Sequence, residues 1–172
     1  MSPAPLGLVV LISGYGSNLQ AIMDATASGE IATRIRAVIS NRPAAPGLDR
    51  ARQAGIPAVV VEGRRGQPRS EYDSALQRAI EPFEPDLIAL AGFMRILTPG
   101  FVQHYAGRML NIHPSLLPRY RGLHTHQRAL EAGDAFHGAS IHYVTEELDG
   151  GPVVRQARVP VLDGDDEASL AN

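Results

Sequence analysis

Three polar side chains in the second half of the chain have the types that carbonyl chemistry requires. Asn111 and His113 lie two residues apart, and Asp149 follows 36 residues after the histidine. An amide and an imidazole can both donate to a carbonyl oxygen while it gains negative charge, and the imidazole can protonate it. A nearby carboxylate favours the charged form of the imidazole. The three residues therefore predict a catalytic site that acts on a carbonyl group.

A short strand is expected to position the first two of these residues. The apolar run 108–110 favours a strand, and Pro114 and Pro118 prevent a regular element after it. Asn111 and His113 then lie at the carboxyl end of that strand, and residues two apart in a strand point to the same side. Ligands of open α/β sheets bind at this edge, which agrees with a catalytic role.

A glycine loop near the start of the chain predicts a phosphate site. The aliphatic run 8–12 favours a buried strand, and Gly14-Tyr15-Gly16-Ser17-Asn18 joins it to a helical pattern. The backbone N–H groups of this loop and the Ser17 hydroxyl would meet the positive end of that helix. The third glycine and the acidic ribose partner of a dinucleotide site are missing, so a monophosphate is favoured. The alternative is a tight turn in which Ser17 or Asn18 caps the helix.

The segment Met94-Arg95-Ile96-Leu97 follows another predicted strand, where a pocket wall is expected. Met94 and Leu97 could flank a flat heterocycle, and Arg95 could pair with a carboxylate. The alternative is a core segment in which Arg95 pairs with the helix that begins after Pro99. Five of the six histidines could suggest a metal ion, but no ligand spacing is present, and we predict no metal site.

Strand and helix patterns alternate along the chain, which is typical of an α/β fold with a parallel sheet and crossover helices. The later strands, 139–144 and 152–159, are less uniformly apolar, so we expect some antiparallel pairing there. The other predicted strands are 8–12, 35–39, 58–61 and 87–91, and the predicted helices include 46–54, 70–80 and 125–132.

The composition excludes several kinds of function. All 16 basic residues are arginine and cysteine is absent, which excludes a Schiff-base lysine, a thiol nucleophile, a disulfide and a thiolate metal site. The net charge of −2 gives no broad basic surface for nucleic acid, and no apolar run could span a membrane. We expect a soluble, cytoplasmic protein. The acidic helical start at 163–172 ends after about one turn, so we expect a chain truncated at its C-terminus.

Four segments, 12–20, 91–97, 111–118 and 147–152, together resemble the phosphoribosylglycinamide formyltransferases. The resemblance implies the formyltransferase fold, a Rossmann-like and mostly parallel sheet with helices on both faces. It implies one domain, 1–172, with a phosphate-binding half (about 1–105) and a formyl-folate and catalytic half (about 106–172). It also implies the reaction, which transfers a formyl group from the co-substrate 10-formyltetrahydrofolate to the amine of 5-phosphoribosylglycinamide in purine biosynthesis, a part of one-carbon metabolism.

The resemblance further implies a role for each candidate residue. Asn111 is the neutral donor to the oxyanion, His113 is the charged donor and proton source, and Asp149 keeps the imidazole charged. The substrate phosphate is implied to bind Gly16, Ser17 and Asn18. The residues implied to bind the folate are Arg69, Met94, Arg95, Ile96, Leu97, Asn111 and Asp149.

Two alternatives share part of this pattern. The core 111–118 and the pair Arg121-Gly122 also resemble methionyl-tRNA formyltransferase and formyl-folate hydrolase. Those enzymes carry a further nucleic-acid-binding domain or an amino-terminal regulatory domain, and we expect neither here. An alternative of another class is a truncated, weakly active module that binds folate or a nucleotide sugar. We expect a monomer or homodimer that acts on small molecules and binds neither nucleic acid nor a membrane.

Overall fold

The computed structural model describes residues 4–171 and divides the chain into two compact units. The first unit is Met1–Met109 and the second unit is Leu110–Asn172. The first unit contains β1 (Leu6–Ile12), α1 (Ser17–Ala27), β2 (Thr33–Ser40), α2 (Gly47–Gln53), β3 (Ala58–Val60), α3 (Arg69–Ile80), a 3-10 turn (Glu81–Phe83), β4 (Leu87–Leu90) and α4 (Pro99–His104). β5 (Met109–His113) starts at the last residue of the first unit and continues into the second. The other elements of the second unit are α5 (Thr125–Glu131), β6 (Phe136–Tyr143), β7 (Val153–Pro160) and α6 (Glu167–Ala171).

The seven strands have the order β3-β2-β1-β4-β5-β6-β7. In the first unit, β1 pairs in parallel with β2 and β4, and β2 pairs in parallel with β3. The last six residues of β1 are buried, as expected of an aliphatic strand that is covered on both faces. The predicted mostly parallel α/β fold is therefore confirmed. The proposed domain halves divided near residue 105 stay a prediction.

The second unit pairs its strands in the opposite sense. β5 pairs antiparallel with β6, and β6 pairs antiparallel with β7, so the expected antiparallel pairing is confirmed. β6 begins at Phe136, three residues before the predicted start, because its ladder with β7 continues to the pair Phe136↔Pro160. Asn111 and His113 lie at the carboxyl end of β5, as predicted, and the ladder with β6 continues to His113↔Ser140.

The buried residues of β6 are polar. His137, Ser140 and His142 are buried, whereas Phe136 and Tyr143 at the two ends are exposed. Buried polar groups require hydrogen-bond partners, so these three buried positions indicate hydrogen-bond networks rather than an apolar core. Across residues 4–171, no helix is long and apolar enough to cross a membrane.

Candidate active site

His113 occupies the last position of β5 and is held at both ring nitrogens. Its Nδ1 lies 3.5 Å from Asp149 Oδ2, and its Nε2 lies 2.9 Å from the backbone oxygen of Tyr120. A carbonyl oxygen can only accept, so Nε2 carries a hydrogen. The distance from Nδ1 to the carboxylate is longer than a good hydrogen bond. The Nδ1 side of the ring is therefore the side at which a proton can be exchanged.

Asp149 lies in the turn between β6 and β7, with a left-handed backbone (φ 50). Its Oδ2 accepts a hydrogen bond from the Gly122 N–H at 2.8 Å, and its Oδ1 lies 3.8 Å from His142 Nε2. The side chain is only 8% exposed, so its charge is little screened by solvent. Two imidazoles and one backbone N–H thus face the two oxygens of a single buried carboxylate.

Asn111 reaches the same carboxylate through His142. Its Nδ2 lies 3.1 Å from His142 Nε2, and His142 Nδ1 lies 2.9 Å from the Tyr143 backbone oxygen. Because that oxygen accepts from Nδ1, a neutral His142 has a lone pair at Nε2 and accepts from Asn111. The amide group is then oriented by one hydrogen and keeps the other for a ligand. Asn111, His113 and Asp149, predicted from the sequence as one set, are brought together.

Three contributors to this cluster are not among the residues predicted from the sequence. His142 was considered only as one of several histidines that could bind a metal, and Tyr120 and Gly122 contribute backbone atoms. The polar alternation of Ser140 and His142 in a strand was the available signal, because a strand with a buried polar face indicates a network. Within residues 4–171, no group of three or more histidine, aspartate or glutamate side chains could hold a metal ion.

The predicted phosphate loop forms the start of α1 in the first unit. Gly16 is the N-cap, in the left-handed region (φ 83), and no side chain caps the helix. Ser17 is the first helical residue, so the alternative in which Ser17 or Asn18 caps the helix is wrong. Both side chains are exposed. The first backbone N–H groups of a helix have no partner within it, so they are available to an anion here.

Two glycines determine the shape of this loop. A Cβ added to Gly16 would lie 2.9 Å from Gly47 Cα, and one added to Gly47 would lie 2.5 Å from Ile12 Cδ1. The Gly47 N–H also donates to the Gly14 oxygen at 3.1 Å. The loop therefore packs directly on the first turn of α2, and this contact requires the absence of side chains.

The segment 94–97 is anchored through its backbone. The Met94 N–H donates to Ser13 Oγ at 2.7 Å, and Ser13 Oγ donates to Asn41 Oδ1 at 2.5 Å. Met94 and Ile96 are each 61% exposed, while Leu97 is half-buried. The segment thus presents apolar side chains outward, as expected of a pocket wall rather than of core.

The Arg95 side chain contacts α3 rather than the helix that begins after Pro99. Its guanidinium lies over the ring of Tyr72 in α3, 3.7 Å from the ring centroid, and a Cβ on Gly63 would overlap it. Pairing with the helix after Pro99 is therefore wrong, because stacking on α3 occupies the guanidinium. Arg69, the other arginine predicted to bind folate, is the exposed first residue of α3.

Comparison with known proteins agrees with this geometry. The model of the formyl transferase family matches residues 6–172. The phosphoribosylglycinamide formyltransferase of Escherichia coli is 59% identical over 165 residues, which are 96% of this chain and 78% of that protein. The chain belongs to the phosphoribosylglycinamide formyltransferase family. Membership of this family makes the chain a formyltransferase of purine biosynthesis. The function predicted from the sequence is therefore confirmed, and the three alternatives, a formyl-folate hydrolase, a tRNA formyltransferase and a binding module, are not supported.

Solved structures of this family have the same fold. The phosphoribosylglycinamide formyltransferase of Coxiella burnetii superposes with a TM-score of 0.91 at 54% identity, covering 97% of this chain and 78% of its own. The glycinamide ribonucleotide transformylase 1 of Symbiobacterium toebii gives a TM-score of 0.94 at 42% identity, covering 99% and 80%. The formyltransferase fold predicted from the four segments is confirmed.

Proposed function

We propose that this enzyme transfers the formyl group of 10-formyltetrahydrofolate to the amine of 5-phosphoribosylglycinamide, and that Asn111, His113 and Asp149 carry the chemistry. The observation that carries the proposal is the buried cluster around Asp149, in which His113 Nδ1 faces the carboxylate at 3.5 Å. Both substrates are small molecules, and no enzyme nucleophile is needed because the substrate amine attacks. The chain acts as a monomer or homodimer.

The first step forms a bond between the amine nitrogen and the formyl carbon. The two electrons of the carbonyl π bond move to oxygen, and the resulting oxyanion needs donors in a site of low dielectric. Asn111 supplies a neutral amide N–H, and His113 supplies the Nδ1–H and protonates the oxygen. Asp149, buried beside the ring, attracts the positive charge of the imidazolium.

The second step breaks the bond between the formyl carbon and the folate nitrogen. His113 takes its proton back as the carbonyl re-forms, and the leaving nitrogen receives the proton that the amine loses. Asp149 relays that proton through a water molecule, since it is the anionic group of the cluster. The products are formylated glycinamide ribonucleotide and tetrahydrofolate, so atoms and charges balance.

The first unit supplies binding groups in this proposal. The substrate phosphate binds the uncapped start of α1 through the backbone N–H groups of Gly16, Ser17 and Asn18 and the Ser17 hydroxyl. The folate contacts are Arg69, the segment 94–97, Asn111 and Asp149, with the exposed Met94 and Ile96 side chains as apolar surface for its rings.

Steady-state kinetics of His113→Ala test the proposal. Removal of a charged donor to the oxyanion should lower kcat by on the order of 100-fold or more, while the affinity for a folate analogue changes much less. His104→Ala is the matched control, because His104 is an exposed residue of α4. Full activity in His113→Ala, or an equal loss in both variants, would contradict the proposed role.

A further inference from the structure

The loop of residues 119–123, here called the Tyr120 loop, is bound to the rest of the second unit by its backbone. The Arg119 oxygen accepts from Ser115 Oγ at 2.6 Å, and the Arg121 oxygen accepts from Arg128 Nη1 at 2.6 Å. Between these anchors, the loop directs two backbone groups at the proposed catalytic pair. The carbonyl of Tyr120 accepts from His113, and the N–H of Gly122 donates to Asp149.

The Tyr120 backbone is in an unfavourable conformation. Its φ of 55 lies in the left-handed region, which is unfavourable for a tyrosine unless its surroundings impose it. This conformation points its carbonyl at His113 Nε2, 2.9 Å away. The contact therefore depends on whatever holds residue 120, and the neighbouring groups show what that is.

Asp134 holds the side chain of Tyr120. Tyr120 Oη donates to Asp134 Oδ2 at 2.7 Å, and Arg119 Nη2 lies 2.8 Å from Asp134 Oδ1. The hydrogen bond to this carboxylate raises the pKa of Tyr120, so the phenol stays protonated and remains a donor. The Asp134 side chain is 10% exposed, whereas that of Arg119 is 58% exposed. The bond from the tyrosine hydroxyl is part-buried, whereas the bond from Arg119 is exposed.

We propose that Asp134 and the Tyr120 hydroxyl are positioning residues that hold the Tyr120 carbonyl on His113 Nε2 and thereby assign proton exchange to Nδ1. While Nε2–H is bound to the carbonyl, the neutral ring has its lone pair at Nδ1, and a gained proton arrives there. If the carbonyl is released, the Asp149 carboxylate is the remaining acceptor beside the ring, and it favours the Nδ1–H tautomer. An imidazolium that gives up its Nδ1 proton leaves the neutral Nε2–H form, so release of the carbonyl destabilises the form of the ring that the proposed proton transfer produces.

This inference rests on the proposed role of His113, and Tyr120→Phe and Asp134→Asn test it. Each variant should lower kcat about tenfold, short of the 100-fold that a 1 Å misplacement can cost, with the KM for the folate little changed. The double variant should lose no more than either single one, because both changes break one link. Nitrogen NMR of the imidazole at a pH where His113 is neutral should show hydrogen moving from Nε2 to Nδ1.

Two control variants separate this link from a general effect on the loop. Glu131→Gln makes the same change of charge at an exposed position three residues away, where the carboxylate accepts from Gln127 within α5. Arg119→Gln removes the exposed guanidinium that contacts Asp134 and donates to Tyr120 Oη at 3.2 Å, and it keeps the bond from Tyr120 Oη to Asp134 Oδ2. Both controls should retain kcat within about twofold, since exposed ion pairs contribute little.

The outcomes distinguish this inference from the proposed function. If His113→Ala is inactive but Tyr120→Phe keeps both the wild-type kcat and the Nε2–H tautomer, the positioning role is wrong and the proposed chemistry stands. Loss of kcat without a change of tautomer overturns the positioning role as well. If His113→Ala is fully active, the proposed function fails first. Should Asp134→Asn fail to fold, Tyr120→Phe alone decides, because it removes one oxygen atom and keeps the ring.

Discussion

The two units use buried residues in different ways. In the first unit, β1 buries six consecutive residues, and the four at 8–11 lie next to apolar partners in parallel strands. In the second unit, β6 buries two histidines and a serine, each with a hydrogen-bond partner. An apolar interior tolerates variation in its loops, whereas a polar interior makes stability and chemistry depend on the same hydrogen bonds.

The largest expected effect comes from the apolar interior of the first unit. Leu11 is fully buried in β1 and pairs with Ile39 on one side and Leu90 on the other. Leu11→Ala should lower the free energy of unfolding by about 2–5 kcal/mol, because it removes buried apolar surface and leaves a cavity. Urea unfolding measures this loss. The control is Leu162→Ala, at a residue 63% exposed, which should lower the free energy of unfolding by less than about 0.5 kcal/mol. Equal losses in the two variants would show that the first unit does not depend on its apolar interior.

The second expected effect comes from the polar interior of the second unit. Ser140 is fully buried; its Oγ accepts from the Leu117 N–H at 3.0 Å and donates to the Ser115 oxygen at 2.6 Å. Ser140→Ala should cost about 1–3 kcal/mol, although it removes almost no apolar surface, because it leaves buried partners unsatisfied. Ser74→Ala is the control, since its exposed hydroxyl bonds only within α3. Equal unfolding midpoints for the two variants would show that the network contributes little.

The third expected effect is a dependence of stability on pH that arises in the second unit. Burial lowers the pKa of both His126 and His137 below the ordinary 6.5, and their rings share a contact of 2.9 Å between His137 Nε2 and His126 Nδ1. Below pH 6.5 the unfolded chain binds protons that the folded chain does not, so stability is lost as the pH falls through this range.

Urea midpoints at about pH 7.5 and about pH 5.5 measure that loss. His126→Gln should lose less stability between the two values than the wild type, because one buried imidazole is gone and His137 no longer has a titrating neighbour. His104→Gln, at an exposed histidine, should behave like the wild type. If His126→Gln shows the wild-type dependence on pH, the buried histidine pair is not its source.

The smallest expected effect is at exposed ion pairs, where the two units should not differ. Each unit has an exposed ion pair, Arg52 with Asp49 in the first and Arg121 with Glu147 in the second. Arg52→Gln and Glu147→Gln should each change the free energy of unfolding by less than about 1 kcal/mol, and high salt should reduce even that. A larger loss in one unit would show that surface charge also distinguishes the two.

The sequence predicted the apolar interior better than the polar one. Aliphatic runs such as 8–12 identify buried strands, because burial on both faces requires them, and the structure places β1 there. Asn111 and His113 are predicted from their spacing and Asp149 from its residue type, and the family resemblance links all three. Spacing and residue type can be read from a sequence, and in the structure these three residues meet in one cluster.

The supporting contacts could not be predicted in the same way. The bond from His113 to the Tyr120 carbonyl depends on the backbone dihedral of residue 120, which the identity of a tyrosine does not suggest. His142 acts through a cross-strand pair with Asn111, and that pair follows from the register of β5 and β6. The stacking of Arg95 on Tyr72 joins elements 23 residues apart with no periodic signal.

The contact between Gly16 and Gly47 has a consequence for protein engineering. A side chain at Gly16 would meet the Gly47 backbone and one at Gly47 would meet Ile12 Cδ1, so single codon changes at either position are expected to be lost from a randomised library before any selection for substrate acts. Variation aimed at a different anionic substrate should instead be directed to Ser17 and Asn18, whose exposed side chains can change without moving the backbone. Homologous recombination between relatives should likewise keep residues 14–17 and 46–47 from the same parent.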